Sequence, residues 1–163
     1  MHLWIIRHAD AVPALRAAND FARQLSARGR ADAERVARWL ERGRHGVDSI
    51  VTSDAPRASE TAEILASGFG LPQRAVRADH LLYNASATTI VDVIREAPAA
   101  WRSLAVVGHN PGVSAAVRML CGDHASRPLP TLGIARLDVA NSWSEVAAGA
   151  AVLSLRLDPD TID

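Results

Sequence analysis

Three short stretches, Leu3-Trp4-Ile5-Ile6, Ser49-Ile50-Val51-Thr52 and Leu104-Ala105-Val106-Val107, are apolar through their centres with no polar alternation. A strand with one wet face alternates, whereas a strand covered on both faces does not, so these runs predict central strands of a sheet. Helix-period stretches lie between and after them, at about residues 26–42, 56–66, 88–97 and 112–120. Pro98 closes the third before the Leu104 run, and Pro56 fits the first position of the second, with Ser53 or Asp54 as its cap candidates. Residues 135–139 and 152–157 do alternate, which predicts strands at or near the sheet margin, antiparallel in part. The pattern therefore predicts an α/β protein: a three-layer α/β/α sandwich with a mostly parallel central sheet and an antiparallel strand near one margin.

Length and composition narrow what such a sheet can serve. The 163 residues suffice for one hydrophobic core, and no repeat or long Gly/Ser linker divides them, so residues 1–163 are expected to form a single domain. Apolar residues make up 48% and the formal net charge is zero, which offers no basic field for nucleic acid. The single cysteine, Cys121, permits no disulfide and no cysteine zinc cluster, and is expected to be a buried small apolar residue. His2, His45 and His124 lack metal-ligand spacing and are expected at the surface; no metal site is expected. The apolar run at residues 1–6 lacks a basic flank and is too short for a secretory or membrane segment, so a cytoplasmic location and no membrane partner are expected. All 18 basic residues are arginine, which removes Walker-loop, Schiff-base and aldimine chemistry, and no cofactor is expected.

The chemistry is concentrated where the apolar runs end. Arg7-His8-Ala9-Asp10 follows the first, Ser53-Asp54-Ala55-Pro56-Arg57 the second and Gly108-His109-Asn110-Pro111 the third. Ligands of open α/β sheets bind beyond the carboxyl ends of the strands, so the three clusters are placed to converge there. The turns at Pro56 and Gly108 each lead into a helix whose free N–H groups and positive dipole end favour an anion. Arg7 and Arg57 add charged planar forks that match phosphate oxygens, and His109 adds an imidazole donor. His8 is left as a nucleophile able to attack phosphorus and pass the group to water, with two arginines and a protonated histidine supplying the positive charge in place of a metal.

These residues resemble the histidine phosphatase superfamily, also called phosphoglycerate-mutase-like. The resemblance rests on Arg7-His8-Ala9, on Ser53-x-x-x-Arg57-Ala58-x-x-Thr61-Ala62 and on Gly108-His109-Asn110-Pro111. The Arg-His-Ala triplet, the segment Asp20-x-x-Arg23-x-Leu25-Ser26-x-x-Gly29 and the short length are similar to SixA-type phosphohistidine phosphatases, with Gln24 departing from a proline frequent in that branch. The resemblance implies His8 as nucleophile, Arg7 and Arg57 as phosphate ligands, His109 as the second pocket histidine, and a histidine phosphotransfer domain as the phosphorylated partner.

Family members that cleave esters use a carboxylic acid after a middle strand. The corresponding stretch here, residues 77–84, offers Asp79 as the candidate proton donor and His80 as a second, each with a turn or surface role as the alternative. Imidazole, with a pKa near 6.5, leaves more readily than an alkoxide, so weak acid assistance favours phosphohistidine over sugar phosphates. Asp10 and Ser53 are expected to cap turns, with orientation of the arginines as the alternative. Arg16, Arg23 and Arg28 widen a positive approach or form an exposed face. Trp4, Trp39, Trp101 and Trp143 are assigned to core packing, and Asp158, Asp160 and Asp163 to a solvated acidic end. Two further functions stay open: a phosphatase of small phosphate esters or phosphoanhydrides with the same pocket, and a non-catalytic phosphate-sensing or protein-binding module.

Overall fold

A computed structural model describes residues 1–122, 125 and 127–162, so His124 and Asp163 lie outside the described residues. Six strands form one sheet: β1 (His2–Arg7), β2 (Ser49–Thr52), β3 (Val76–Ala78), β4 (Ser103–Gly108), β5 (Ile134–Val139) and β6 (Ala151–Leu157), in the order β3-β2-β4-β1-β5-β6. β3, β2, β4 and β1 run parallel, while β5 is antiparallel to both β1 and β6. The sheet is thus mostly parallel with its antiparallel strand next to one margin, as the alternating C-terminal segments predict.

Four helices cover it: α1 (Ala27–Arg42), α2 (Pro56–Gly68), α3 (Ala87–Arg95) and α4 (Gly112–Cys121). Side chains alternate across β1, so Leu3 and Ile5 join one buried cluster with Val113 and Val117 of α4, and Trp4 and Ile6 join the other with Val36, Leu40 and Leu65. Both faces being covered, an unbroken apolar run is what β1 and β4 require. Ser26 and Ser86 cap α1 and α3 by accepting the Gly29 and Thr89 amides. β3 is a three-residue edge strand without a buried residue, too short and too exposed to register as an apolar run.

Several side-chain expectations are corrected. The N-cap of α2 is Ala55, which makes no side-chain cap, so neither Ser53 nor Asp54 caps that helix. His45 is half-buried, stacked on Trp39 with centroids 4.9 Å apart and edge-on to Trp4 at 5.2 Å, because the turn after α1 folds back over both indoles. Asp158 pairs with Arg127 at 3.3 Å and with Arg156 at 3.4 Å and is anchored, whereas Asp160 is exposed. Cys121 is half-buried beside the α3–α4 cluster, and burial raises its thiol pKa. Trp4 and Trp143 are buried, the latter donating to the Trp101 carbonyl at 2.9 Å. No helix among the described residues is long and apolar enough to cross a membrane.

Candidate phosphate site at the strand ends

The parallel register sets the strand ends level. Arg7 pairs with Gly108, the His8 amide donates to the Gly108 carbonyl, and the Ser53 amide donates to that of Val107, both at 3.0 Å. Residues that follow β1, β2 and β4 are therefore delivered to one place, and the ring centroids of His8 and His109 stand 5.0 Å apart.

His8 is anchored by Nδ1, which lies 2.7 Å from the Ala9 carbonyl oxygen. A carbonyl only accepts, so Nδ1 carries the proton and the lone pair is on Nε2, which receives the Arg57 Nε–H at 3.3 Å. Burial, followed by the charges of Arg57, Arg7 and Arg23, pulls the imidazole pKa down to about 4, so the ring is neutral at physiological pH. A neutral ring with a free, pre-aimed nitrogen is the form a nucleophile needs.

Arg57 is 2% exposed, and each nitrogen of its guanidinium has a partner. Besides His8, Nη1 donates to the Asp20 carbonyl at 2.7 Å and Nη2 to Asp20 Oδ2 at 3.0 Å. Its place relative to His8 is set by Thr61, whose hydroxyl accepts the Ala9 amide and donates to the Arg57 carbonyl one helical turn back. That bridge explains why a small β-branched hydroxyl stands four residues after the arginine. Arg7 donates through Nη1 to the Leu129 carbonyl at 3.2 Å, while its buried Nε has no partner.

His109 is 4% exposed and reaches Ser53 Oγ through Nε2 at 2.9 Å. Ser53 Oγ also accepts the Ala55 amide, and when its hydroxyl donates to His109 Nε2 the ring proton sits on Nδ1. His109 Nδ1 is buried without a partner. Burial first, then the positive surroundings, pull the His109 pKa down to about 3. The expectation of a protonated histidine is thus corrected for the free protein: His109 is neutral, because a further buried cation beside Arg57 and Arg7 is unfavourable.

Two buried nitrogens without partners, Arg7 Nε and His109 Nδ1, stand beside a neutral imidazole and two helix starts, α2 and α4, that carry no side-chain cap. Buried polar nitrogens are normally satisfied, and guanidinium N–H groups and open helix starts are the donors from which a tetrahedral oxyanion accepts.

Asp79 is not drawn into this cluster. Its Oδ1 accepts the Leu81 amide at 2.9 Å and caps a short 3-10 turn, and its side chain borders a separate cavity lined by Arg77, Glu96 and Trp101. His80 is exposed and bonded to Asp54 Oδ2 at 2.9 Å. Asp10 accepts the Ser26 hydroxyl and belongs to the start of α1, and neither it nor Ser53 is hydrogen-bonded to an arginine. Of the three outlying arginines, Arg23 is tied to the site through Asp20 Oδ1 at 3.0 Å, while Arg28 pairs with Asp32 on α1.

Sequence reasoning passed over four supporting residues: Ser53 as the partner of His109, Thr61, Asp20 and Tyr83. Thr61 and Asp20 stand inside recognised motifs, which was the available signal. Tyr83, whose hydroxyl meets Asp20 Oδ2 at 2.9 Å and whose ring lies edge-on to His109 at 5.5 Å, is brought in only by folding.

Comparison with known proteins agrees with this fold. The sequence profile of the histidine phosphatase superfamily (branch 1) matches residues 3–81. An uncharacterised protein of Mycobacterium tuberculosis is 33% identical over 143 residues, which cover 82% of this chain and 87% of the relative. SixA from Nakamurella multipartitia, which bears the phosphohistidine phosphatase designation, superposes with a TM-score of 0.83 at 28% identity over 97% of this chain and 95% of that chain. SixA from Agrobacterium tumefaciens, with the same designation, gives 0.81 at 29% identity over 97% of each chain. With its strand-end motifs, its fold and these whole-length matches in agreement, the chain belongs to the histidine phosphatase superfamily and is of the SixA type.

Proposed function

We propose that the protein hydrolyses phosphohistidine on another protein through a transient phosphohistidine on its own His8. The Nε2 lone pair attacks phosphorus in line, the substrate N–P bond breaks, and the departing imidazole takes a proton from solvent. Water then attacks the phosphoryl group, Nε2 departs, and inorganic phosphate is released. Arg7, Arg57, the His109 Nδ1–H and the first amides of α2 and α4 surround the oxygens as charge redistributes. Positive charge comes from guanidinium groups, so the reading includes no metal.

The observation that carries it is the neutral His8, with Nδ1 held by Ala9 and Nε2 turned toward Arg57. The substrate class is supported by the state of the nearby carboxylates. Asp20, which touches the cluster, is held well below the usual carboxylate range, at about 2, by hydrogen bonds from Arg23 and Tyr83 and the charge of Arg57, and so has no proton to give. Asp79 is engaged in its cap. An imidazole leaving group tolerates such a site far better than an alkoxide does. The partner in this reading is a cytoplasmic histidine phosphotransfer domain of a two-component signalling system, and the SixA designation of the whole-length matches supports it.

The test compares hydrolysis of a phosphorylated histidine phosphotransfer protein with that of sugar and nucleotide phosphates. Faster turnover of the phosphoprotein, and an acid-labile phosphoenzyme that disappears in His8→Ala, are expected. A clear preference for the small phosphates overturns the substrate, and full activity in His8→Ala overturns the mechanism.

A further inference from the structure

Asp20 takes part in no step above, yet its contacts converge on the phosphate site. The guanidinium of Arg57 presents Nε and Nη2 along one edge, the edge with which arginine grips a phosphoryl group through two parallel bonds. In the free protein that edge is shared: Nε meets the lone pair of His8, and Nη2 meets Asp20 Oδ2. The same Oδ2 accepts the Tyr83 hydroxyl, Oδ1 accepts Arg23 Nη1, and the Asp20 carbonyl accepts Arg57 Nη1 at 2.7 Å.

We propose that Asp20 is a positioning residue whose carboxylate stands in for a phosphoryl oxygen on Arg57, holding the fork toward His8 in the free protein and competing with the oxyanion for Nη2. The inference rests on the reading of this pocket as a phosphate site and assigns it a built-in competitor. A carboxylate oxygen satisfies the same donor as a phosphoryl oxygen and carries the same sign of charge, so the two do not share Nη2 cheaply. The Asp20 backbone carbonyl stays on Nη1 during the exchange, so Arg57 keeps its aim while the side chain yields. Asp20 is solvent-exposed and lies on the connection between β1 and α1, with room to swing outward. Its return to Nη2 favours departure of product phosphate.

A merely structural role and a competing role predict opposite signs. If Asp20 only braces the loop, its replacement weakens oxyanion binding. If it competes, Asp20→Asn, which keeps the shape and loses the charge, binds inorganic phosphate more tightly. The experiment is calorimetric titration of inorganic phosphate and orthovanadate into the wild type, Asp20→Asn and Asp20→Ser. A gain of about five- to tenfold in both variants is expected at low ionic strength, shrinking as salt approaches about 1 M because exposed charges are screened. Equal or weaker binding in both variants, with wild-type binding intact, overturns the proposal and leaves the pocket reading standing. Failure of the wild type to bind either oxyanion overturns both.

Discussion

The Ser53 hydroxyl lies 2.9 Å from His109 Nε2 while accepting the Ala55 amide, so one small side chain closes the turn after β2 and holds the ring of a histidine that follows β4. Ser53→Ala leaves that nitrogen unpaired in a buried place, at a cost of about 1–3 kcal/mol, and frees the ring. Turnover is expected to fall by about ten- to a hundredfold, since loss of fixed geometry at a reacting group costs that order of magnitude. Steady-state kinetics and thermal melting check both effects; an unchanged kcat removes Ser53 from the positioning of His109.

His8 and His109 have pKa values near 4 and 3, below the ordinary histidine value of 6.5, with burial as the first cause in each. Between those values and 6.5 the unfolded chain binds more protons than the folded one, so stability falls on acidification through that window and is insensitive to these rings above it. Each ring adds a slope of up to about 1.4 kcal/mol per pH unit. Urea unfolding from pH 7.5 to 4.5 measures it, and His109→Asn is expected to flatten the curve. The acid limb of kcat/KM is expected near pH 4; a limb at 6.5 contradicts a neutral, buried nucleophile.

Asp79→Asn keeps an acceptor for the Leu81 amide and removes only the capacity to donate a proton from a carboxyl group. The rate on phosphohistidine is expected to stay within about twofold because an imidazole leaving group asks for little acid assistance, and the rate on phosphate esters because the Asp79 carboxylate is held in its cap. A selective loss on esters establishes Asp79 as their proton donor.

Gly29 opens α1 directly against the chain leaving β1, and a Cβ there overlaps the Asp10 carbonyl oxygen. Both groups are backbone, so neither yields by a side-chain rotation. Gly29→Ala is expected to destabilise the fold by about 2–4 kcal/mol. A change under about 0.5 kcal/mol in denaturant melts shows that the helix start shifts freely.

The apolar runs by themselves determined the central strands, because a strand buried on both faces has no room for polar alternation, and Pro56 and Pro98 bounded two of the helices to within a few residues. The three polar clusters named Arg7, His8, Arg57 and His109 as companions, since parallel strands deliver their carboxyl ends to one edge. What only the tertiary structure decided was the state and support of those groups: that both rings are neutral, and that Asp20, Tyr83, Ser53 and Thr61 hold them. Neutrality depends on burial, and the aim of Arg57 and of His109 on partners 37 and 56 residues distant in the chain, Asp20 and Ser53, although the proton of the His8 ring is placed by the adjacent Ala9 carbonyl. Local pattern carries no record of those distances, because they are set by packing across the sheet edge and not by neighbours in sequence.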